Sequence, residues 1–234
     1  MTLLVDLLQR LNEPLARYAD LDRYYEGRQP LAFLSPEART ALGNRFGIMA
    51  SNIPRLAVTA LAERLRITGF TGDSAVWADW LANDLDQQAG VAHREALLLG
   101  DSYAIVWANR AGRPQVTVES AKQVATLNDP GTRQPYAGVK RWEDKARKTT
   151  ELMMYLPDVI VHMRADQLGA VASGFKTVEE FPNPLGVVPV VNLRNTDRIV
   201  NFTYSSLFDY GLSEIEDLKP LVDALNKSLA DMMV

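Results

Sequence analysis

The sequence predicts an α+β fold, and three observations carry that prediction. Helix-period apolar patterns fill roughly the first hundred residues. Short runs rich in β-branched and aromatic residues follow from about 101 to 195. One more helical pattern then closes the chain. Segregated helices and strands of this kind indicate α+β rather than the alternation of a doubly wound sheet. The organisation it suggests is one α+β domain over 1–212, helical over about 1–100 and a sheet over about 101–195, with a separate terminal helix over 213–234.

Leu3, Leu4, Leu7, Leu8, Leu11, Leu15, Tyr18, Leu21 and Tyr25 trace a helical stripe interrupted at Asn12-Glu13-Pro14, so two helices or one kinked helix are expected. Gly27 suits the helix end, and an irregular segment with Pro36, Gly43 and Gly47 follows. Asn52-Ile53-Pro54 is a helix start, since proline in the first turn loses no hydrogen bond; this helix is expected to reach about Leu65. A short strand over Arg66–Phe70, a helix capped by Asp73 that carries Val76, Trp77, Trp80, Leu81 and Leu85, and a helix from Gln87 to Leu99 come next. Strands are expected over 103–107, 115–119, 122–127, 137–142, 150–155 and 159–163, joined as an antiparallel meander, with a weaker one over 170–178.

The C-terminal part joins the proline-pinned run Phe181-Pro-Asn-Pro-Leu-Gly-Val-Val-Pro-Val-Val191 to a helix. Ser213 and Glu216 have capping-box spacing, and Pro220 is expected to kink the helix or mark a restart. Ile215, Leu218, Leu221, Leu225, Leu229 and Met232, with Val222 beside them, recur at steps of three and four. The pattern stays apolar to Val234, with no glycine, proline or basic turn, so the helix is expected to be cut in its middle.

Composition excludes more than it identifies. An apolar fraction of 47% and a charged fraction of 23% are ordinary for a soluble globular chain. With 25 basic and 29 acidic residues, a net charge of −4 offers no general grip on phosphates. The absence of cysteine removes disulfides and thiolate metal sites. No apolar run approaches the ~20 residues of a membrane helix, and Asp6 interrupts the apolar N-terminal stretch, which lacks the basic leader of a secretory signal.

Catalytic patterns are equally sparse. His93 and His162 are two lone imidazoles without metal-ligand spacing, and His93 and Glu95 point to different sides of a helix. Gly69-Phe-Thr-Gly72 lacks the rest of a phosphate loop, and Ser173-Gly174 reads as a turn. The acidic pairs Asp84/Asp86, Glu179/Glu180 and Glu214/Glu216 read as solvated faces rather than a hydrolase dyad. The basic cluster Lys140-Arg141, Lys145, Arg147-Lys148 around Trp142 is diluted by Glu143 and Asp144 and reads as a solvated hairpin tip. Trp77 and Trp80 have the spacing of a core or subunit contact. The residues by themselves therefore indicate a non-enzymatic structural or interaction protein.

A family resemblance goes further. Leu21-Asp-Arg-Tyr-Tyr-Glu-Gly-Arg-Gln-Pro-Leu31 resembles the opening motif of tailed-bacteriophage portal proteins of the long-tailed phage and prophage group. In the same order, Asn52–Leu56 with Ala62–Phe70, Trp80–Asp86, Ala92–Trp107, Val118–Ser120, Asn183–Val191, Gly211–Ile215 and Asp223–Asp231 resemble later blocks of that family. Each block is structural rather than catalytic; their order across nearly the whole chain gives them specificity. The resemblance implies the N-terminal wing half of a portal subunit, with 213–234 as the start of a stem helix. Such proteins form a ring, typically of twelve subunits, at one capsid vertex. By that likeness the partners are other portal subunits, terminase, scaffold or capsid proteins and head–tail connector proteins, while double-stranded DNA passes through without sequence reading. The likeness implies a virion component made in the bacterial host cytoplasm, no cofactor and no catalysis, and it marks Ile215, Leu218, Leu221, Leu225, Leu229 and Met232 as a candidate subunit-contact stripe. A chain of this extent is expected neither to line a DNA channel nor to form a stable ring alone. The alternatives are an interaction module of another family and a carboxylate-based hydrolase.

Overall fold

The computed structural model describes residues 2–30, 51–72, 74–109, 111–196 and 210–232. Helices α1 (Thr2–Asn12), α2 (Leu15–Glu26), α3 (Ile53–Ala62), α4 (Ser74–Ala82) and α5 (Leu85–Leu99) precede eight strands, and α6 (Lys219–Asp231) follows them. The strands are β1 (Asp101–Ala108), β2 (Pro114–Ser120), β3 (Val124–Asn128), β4 (Pro135–Asp144), β5 (Thr149–Tyr155), β6 (Val159–Ala165), β7 (Lys176–Pro182) and β8 (Val190–Arg194). The α+β class and the helix–sheet–helix order are those the sequence indicates. Pro36, Gly43, Gly47 and the cap Asp73 lie outside the described residues.

Pro14 separates α1 from α2, and Gly27 ends α2 in the left-handed conformation that lacks a steric cost for glycine. The segment Arg66–Phe70 is not a strand. Phe70 instead lies edge-on to Trp77 and Trp80, at 6.0 and 5.3 Å between ring centroids, so aromatic packing on α4 has prevailed over local β preference. The helix expected to run through Leu85 stops at Ala82 and restarts after Asp84, whose φ of 53° breaks the ladder. Of the weak strand expected over 170–178, residues 172–174 form a 3-10 turn and only 176–178 are strand, as the start of β7.

The strands do not form one meander. They divide into a three-stranded sheet ordered β2-β1-β8 and a five-stranded sheet ordered β3-β4-β5-β6-β7, antiparallel throughout. The division falls at Ser120–Gln123. There the Gln123 N–H bonds the Ser120 carbonyl, the Ser120 hydroxyl bonds Glu95 of α5, and Ala121 is buried, so the chain leaves one sheet and enters the other. The proline-pinned run then returns to β1. Asn183 fixes its turn, donating to the carbonyls of Leu156 (2.7 Å) and Val187 (2.8 Å) while accepting from the Leu185 N–H (3.1 Å).

Strand alternation gives the five-stranded sheet two apolar faces. Ala125, Leu127, Ala137, Val139 and Leu152 lie beneath Leu7, Leu8 and Leu11 of α1. On the opposite face Val124, Tyr155 and Ile160 join Tyr103 and Ile105 of β1, Val188, Val190 of β8, and helical residues including Tyr18, Leu21, Val58 and Leu97–Leu99. Gly138 permits the close crossing, since a Cβ there would come within 3.0 Å of the Val190 side chain.

Candidate subunit-contact surface

The segment leading into α6 is fixed by backbone before any side chain of the helix is placed. The Asn195 N–H bonds the Gly100 carbonyl and the Leu212 N–H bonds the Asn195 carbonyl, both at 2.8 Å. Gly100 and Gly211 approach so closely that a Cβ on Gly211 would overlap the Gly100 carbonyl. Asp101, fully buried, accepts the Gly211 N–H (2.8 Å) on one oxygen and Arg194 Nε (3.2 Å) on the other. Arg10 stacks on the Tyr210 ring, 3.4 Å from its centroid, and the Tyr210 hydroxyl donates to Glu13 at 2.9 Å. Burial, then the nearby Asp101 charge, pushes the hydroxyl of Tyr103 up to about 12 and that of Tyr18 higher still.

The anticipated capping box is not formed. The Ser213 hydroxyl accepts the Ile215 N–H at 3.3 Å, Glu216 is drawn to Arg17 at 2.9 Å, and the regular helix begins only at Lys219. A cross-element ion pair has taken the carboxylate that the cap required. Pro220 lies in the first turn and marks the restart, the second of the two outcomes expected for it.

Alpha-helix α6 then runs beside α2 on a ladder of polar contacts. Arg17 pairs with Glu216, Asp20 with Lys219, and the Tyr24 hydroxyl donates to Asp223 at 2.8 Å. Both members step by three and then four residues, so the two segments run in the same sense with matched helical repeats. Burial pushes the Asp20 carboxyl up, but its bonds to Lys219 and Arg23 outweigh this and hold it below the ordinary aspartate range. The residues that α6 buries are Val222, Asn226 and Ala230, and Asn226 accepts the Ser51 N–H at 3.2 Å.

The candidate stripe is thereby divided. Ile215 is fully buried in the core and Leu218 packs against it. Leu221 (68% exposed), Leu225 (39%), Leu229 (38%) and Met232 (81%) face outward. At 100° per residue these four fall within an arc of about 80°, a continuous apolar ridge. The helix buries only Val222, Asn226 and Ala230 and leaves its largest apolar side chains outward, opposite to the usual surface helix.

A second apolar surface lies on α4, which buries none of its residues although seven of its nine are apolar. Trp77 and Trp80 lie nearly parallel (9°, centroids 6.4 Å apart), with Phe70 against both and Val76, Leu81 and Phe70 exposed. The other sequence candidates are scattered. His162 Nε2 lies 2.8 Å from Glu151 of the neighbouring strand, whereas His93 is on α5. Glu214 accepts from Asn195 (2.9 Å), and Glu179 and Glu180 are exposed on β7. No group of three potential metal-ligating side chains occurs among the described residues, nor does a helix long and apolar enough to cross a membrane. The basic cluster is split by strand alternation: Lys140 pairs with Glu119 (2.5 Å) on one face of β4, while Arg141 lies on the other. The α2 ladder is not visible in apolar periodicity. Its trace in the sequence is the complementary pattern Arg17, Asp20, Tyr24 against Glu216, Lys219, Asp223.

A family model described as "Phage portal protein, SPP1 Gp6-like" matches residues 6–234. Among curated proteins, the portal protein of Mycobacterium phage D29 is 27% identical over 196 residues, covering 75% of this chain and 37% of its own length. The portal protein of Mycobacterium phage L5 is 29% identical over 195 residues, with the same two coverages. The chain thus spans a little over a third of the length of these relatives.

Proposed function

Because the chain belongs to the SPP1 Gp6-like phage portal protein family, a structural family of the virion, we propose that it acts as the wing part of a subunit in the portal ring through which phage DNA is packaged and ejected. In this reading residues 1–212 form the wing and 213–234 begin the stem. The ring, typically of twelve subunits in this family, works with terminase, capsid or scaffold proteins and head–tail connectors. DNA slides past a mildly acidic chain without being read, and the role calls for assembly rather than catalysis.

The observation that carries the reading is the outward ridge Leu221, Leu225, Leu229 and Met232 on a helix whose other side is held by the polar ladder to α2 and by buried Val222, Asn226 and Ala230. Apolar ridges of this kind are covered by a partner. A ring built from identical copies needs two different surfaces on each copy, one to offer and one to receive. The ridge and the aromatic surface of α4 are two such surfaces.

Replacing Leu221 and Met232 together by Glu tests this, because these are the most exposed side chains of the ridge and their exchange leaves the core intact. Light scattering of the parent chain at rising concentration is expected to show self-association that the double variant lacks, with unchanged circular dichroism and melting temperature. Equal association of the two chains would overturn the assignment of the ridge.

A further inference from the structure

The odd-numbered residues of β4 face α1: Ala137 and Val139 are core, and the next residue on that face is Arg141. Its register partner on β5 is Leu152, which is fully buried. The guanidinium therefore stands where the apolar core ends, half-buried in a cleft of about 470 Å³ between the exposed edge of α1 and residues 169–172. Val5, Leu8, Ala170 and Val171 supply apolar walls, and Gln9 and Asn12 supply amides at the rim.

Among the described residues no hydrogen-bond or ion-pair partner holds the Arg141 side chain. The one carboxylate nearby, Glu143, instead accepts the Gly169 N–H at 3.0 Å. Burial pulls the Arg141 pKa down from its ordinary value, and Glu143 opposes that only in part. A half-desolvated cation that no carboxylate contacts among the described residues is unfavourable, whereas a carboxylate matches the guanidinium fork with two parallel charge-assisted bonds.

We propose that this cleft binds a carboxylate side chain carried between apolar residues on a segment of another protein, with Arg141 as the anchor and Val5 and Val171 as the flanking contacts. A nucleic-acid phosphate fits less well: binding of that kind sums over several cations, and the lining of this cleft supplies one, Arg141. The site uses α1 and β4 and is independent of the α6 ridge, so it stands or falls separately from ring assembly.

The probe is the peptide acetyl-Leu-Glu-Leu-amide, titrated into the ¹⁵N-labelled 234-residue chain and compared with acetyl-Leu-Gln-Leu-amide. The glutamate peptide is expected to shift the Arg141 Nε–H resonance and the amides of Gly169 and Val171 saturably, and the glutamine peptide to bind about tenfold or more weakly. Equal binding of both peptides, shifts remote from the cleft, or a response only to a short DNA duplex would overturn the proposal. Arg141→Leu is expected to abolish the preference for glutamate while melting no lower than the parent, because an unpaired charge is replaced by an apolar side chain. Clear destabilisation would instead make Arg141 a structural residue and overturn the proposal, and Arg141→Lys, which keeps the charge without the fork, is expected to fall between.

Discussion

Helices α1 and α6 carry leucine repeats of the same kind and dispose of them in opposite ways. In α1, Leu7, Leu8 and Leu11 are sealed onto the five-stranded sheet. In α6, Leu221, Leu225 and Leu229 point away from the molecule, and Val222, Asn226 and Ala230 point in. The surface opposite each helix accounts for the difference. Beneath α1 lie Ala125, Leu127, Ala137, Val139 and Leu152, which have nothing to offer but apolar area. Beside α6 lie Arg17, Asp20 and Tyr24, which select its charged and hydroxyl-accepting side. A periodic apolar stripe thus establishes that a helix is two-faced; the neighbour decides which face the chain itself covers.

The widest separation between the two helices is expected from truncating one leucine in each. Leu11→Ala should lower unfolding free energy by about 2–5 kcal/mol, and Leu221→Ala, at a side chain 68% exposed, by no more than about 0.5 kcal/mol, measured by urea denaturation. Similar losses at both positions would mean that α6 is covered from within the chain. Next in size is Asp101→Ala, which leaves the Gly211 N–H unpaired and takes a buried counter-charge from Arg194. A loss of about 3 kcal/mol is expected; a loss below about 1 kcal/mol would show that backbone contacts alone hold the lead-in to α6. Tyr24→Phe removes one rung of the polar ladder and is expected to cost about 1 kcal/mol. Greater protease sensitivity at α6 than at α1 in that variant would locate the loss.

The smallest effect separates the two regions by pH. Asp20 has a depressed folded pKa, so its contribution is complete above the unfolded aspartate value and is lost as pH falls through the lower folded one. The urea midpoint should therefore decline on acidification below about pH 4, and decline less in Asp20→Asn. An identical acid decline in both chains would remove the ladder from the account of how α6 is held.

Much of this fold is legible in the sequence because local chemistry and tertiary structure agree. Strands β1 to β6 lie within two residues or so of their expected positions, since β-branched and aromatic runs are bounded by Gly112, Pro130-Gly131 and Pro157. Apart from the break at Asp84, which is a local backbone effect, the main misreadings come from tertiary partners that local patterns do not encode. Phe70 left its expected strand for the tryptophans of α4, Glu216 left its cap for Arg17, and β8 paired with β1 across more than eighty residues to break the meander. Arg141 was grouped by composition with a hairpin tip. Strand parity turns it to the face opposite Lys140, and that no carboxylate contacts it among the described residues is a property of three dimensions.

The clasp formed by Gly100, Asp101, Asn195, Gly211 and Leu212 has a further consequence for engineering. It holds Gly211 and Leu212 against Gly100, Asp101 and Asn195, so the direction in which α6 sets out is fixed by backbone contacts before the helix begins. A single methyl group added at Gly211 is therefore expected to disturb the bearing of α6, because it would overlap the Gly100 carbonyl.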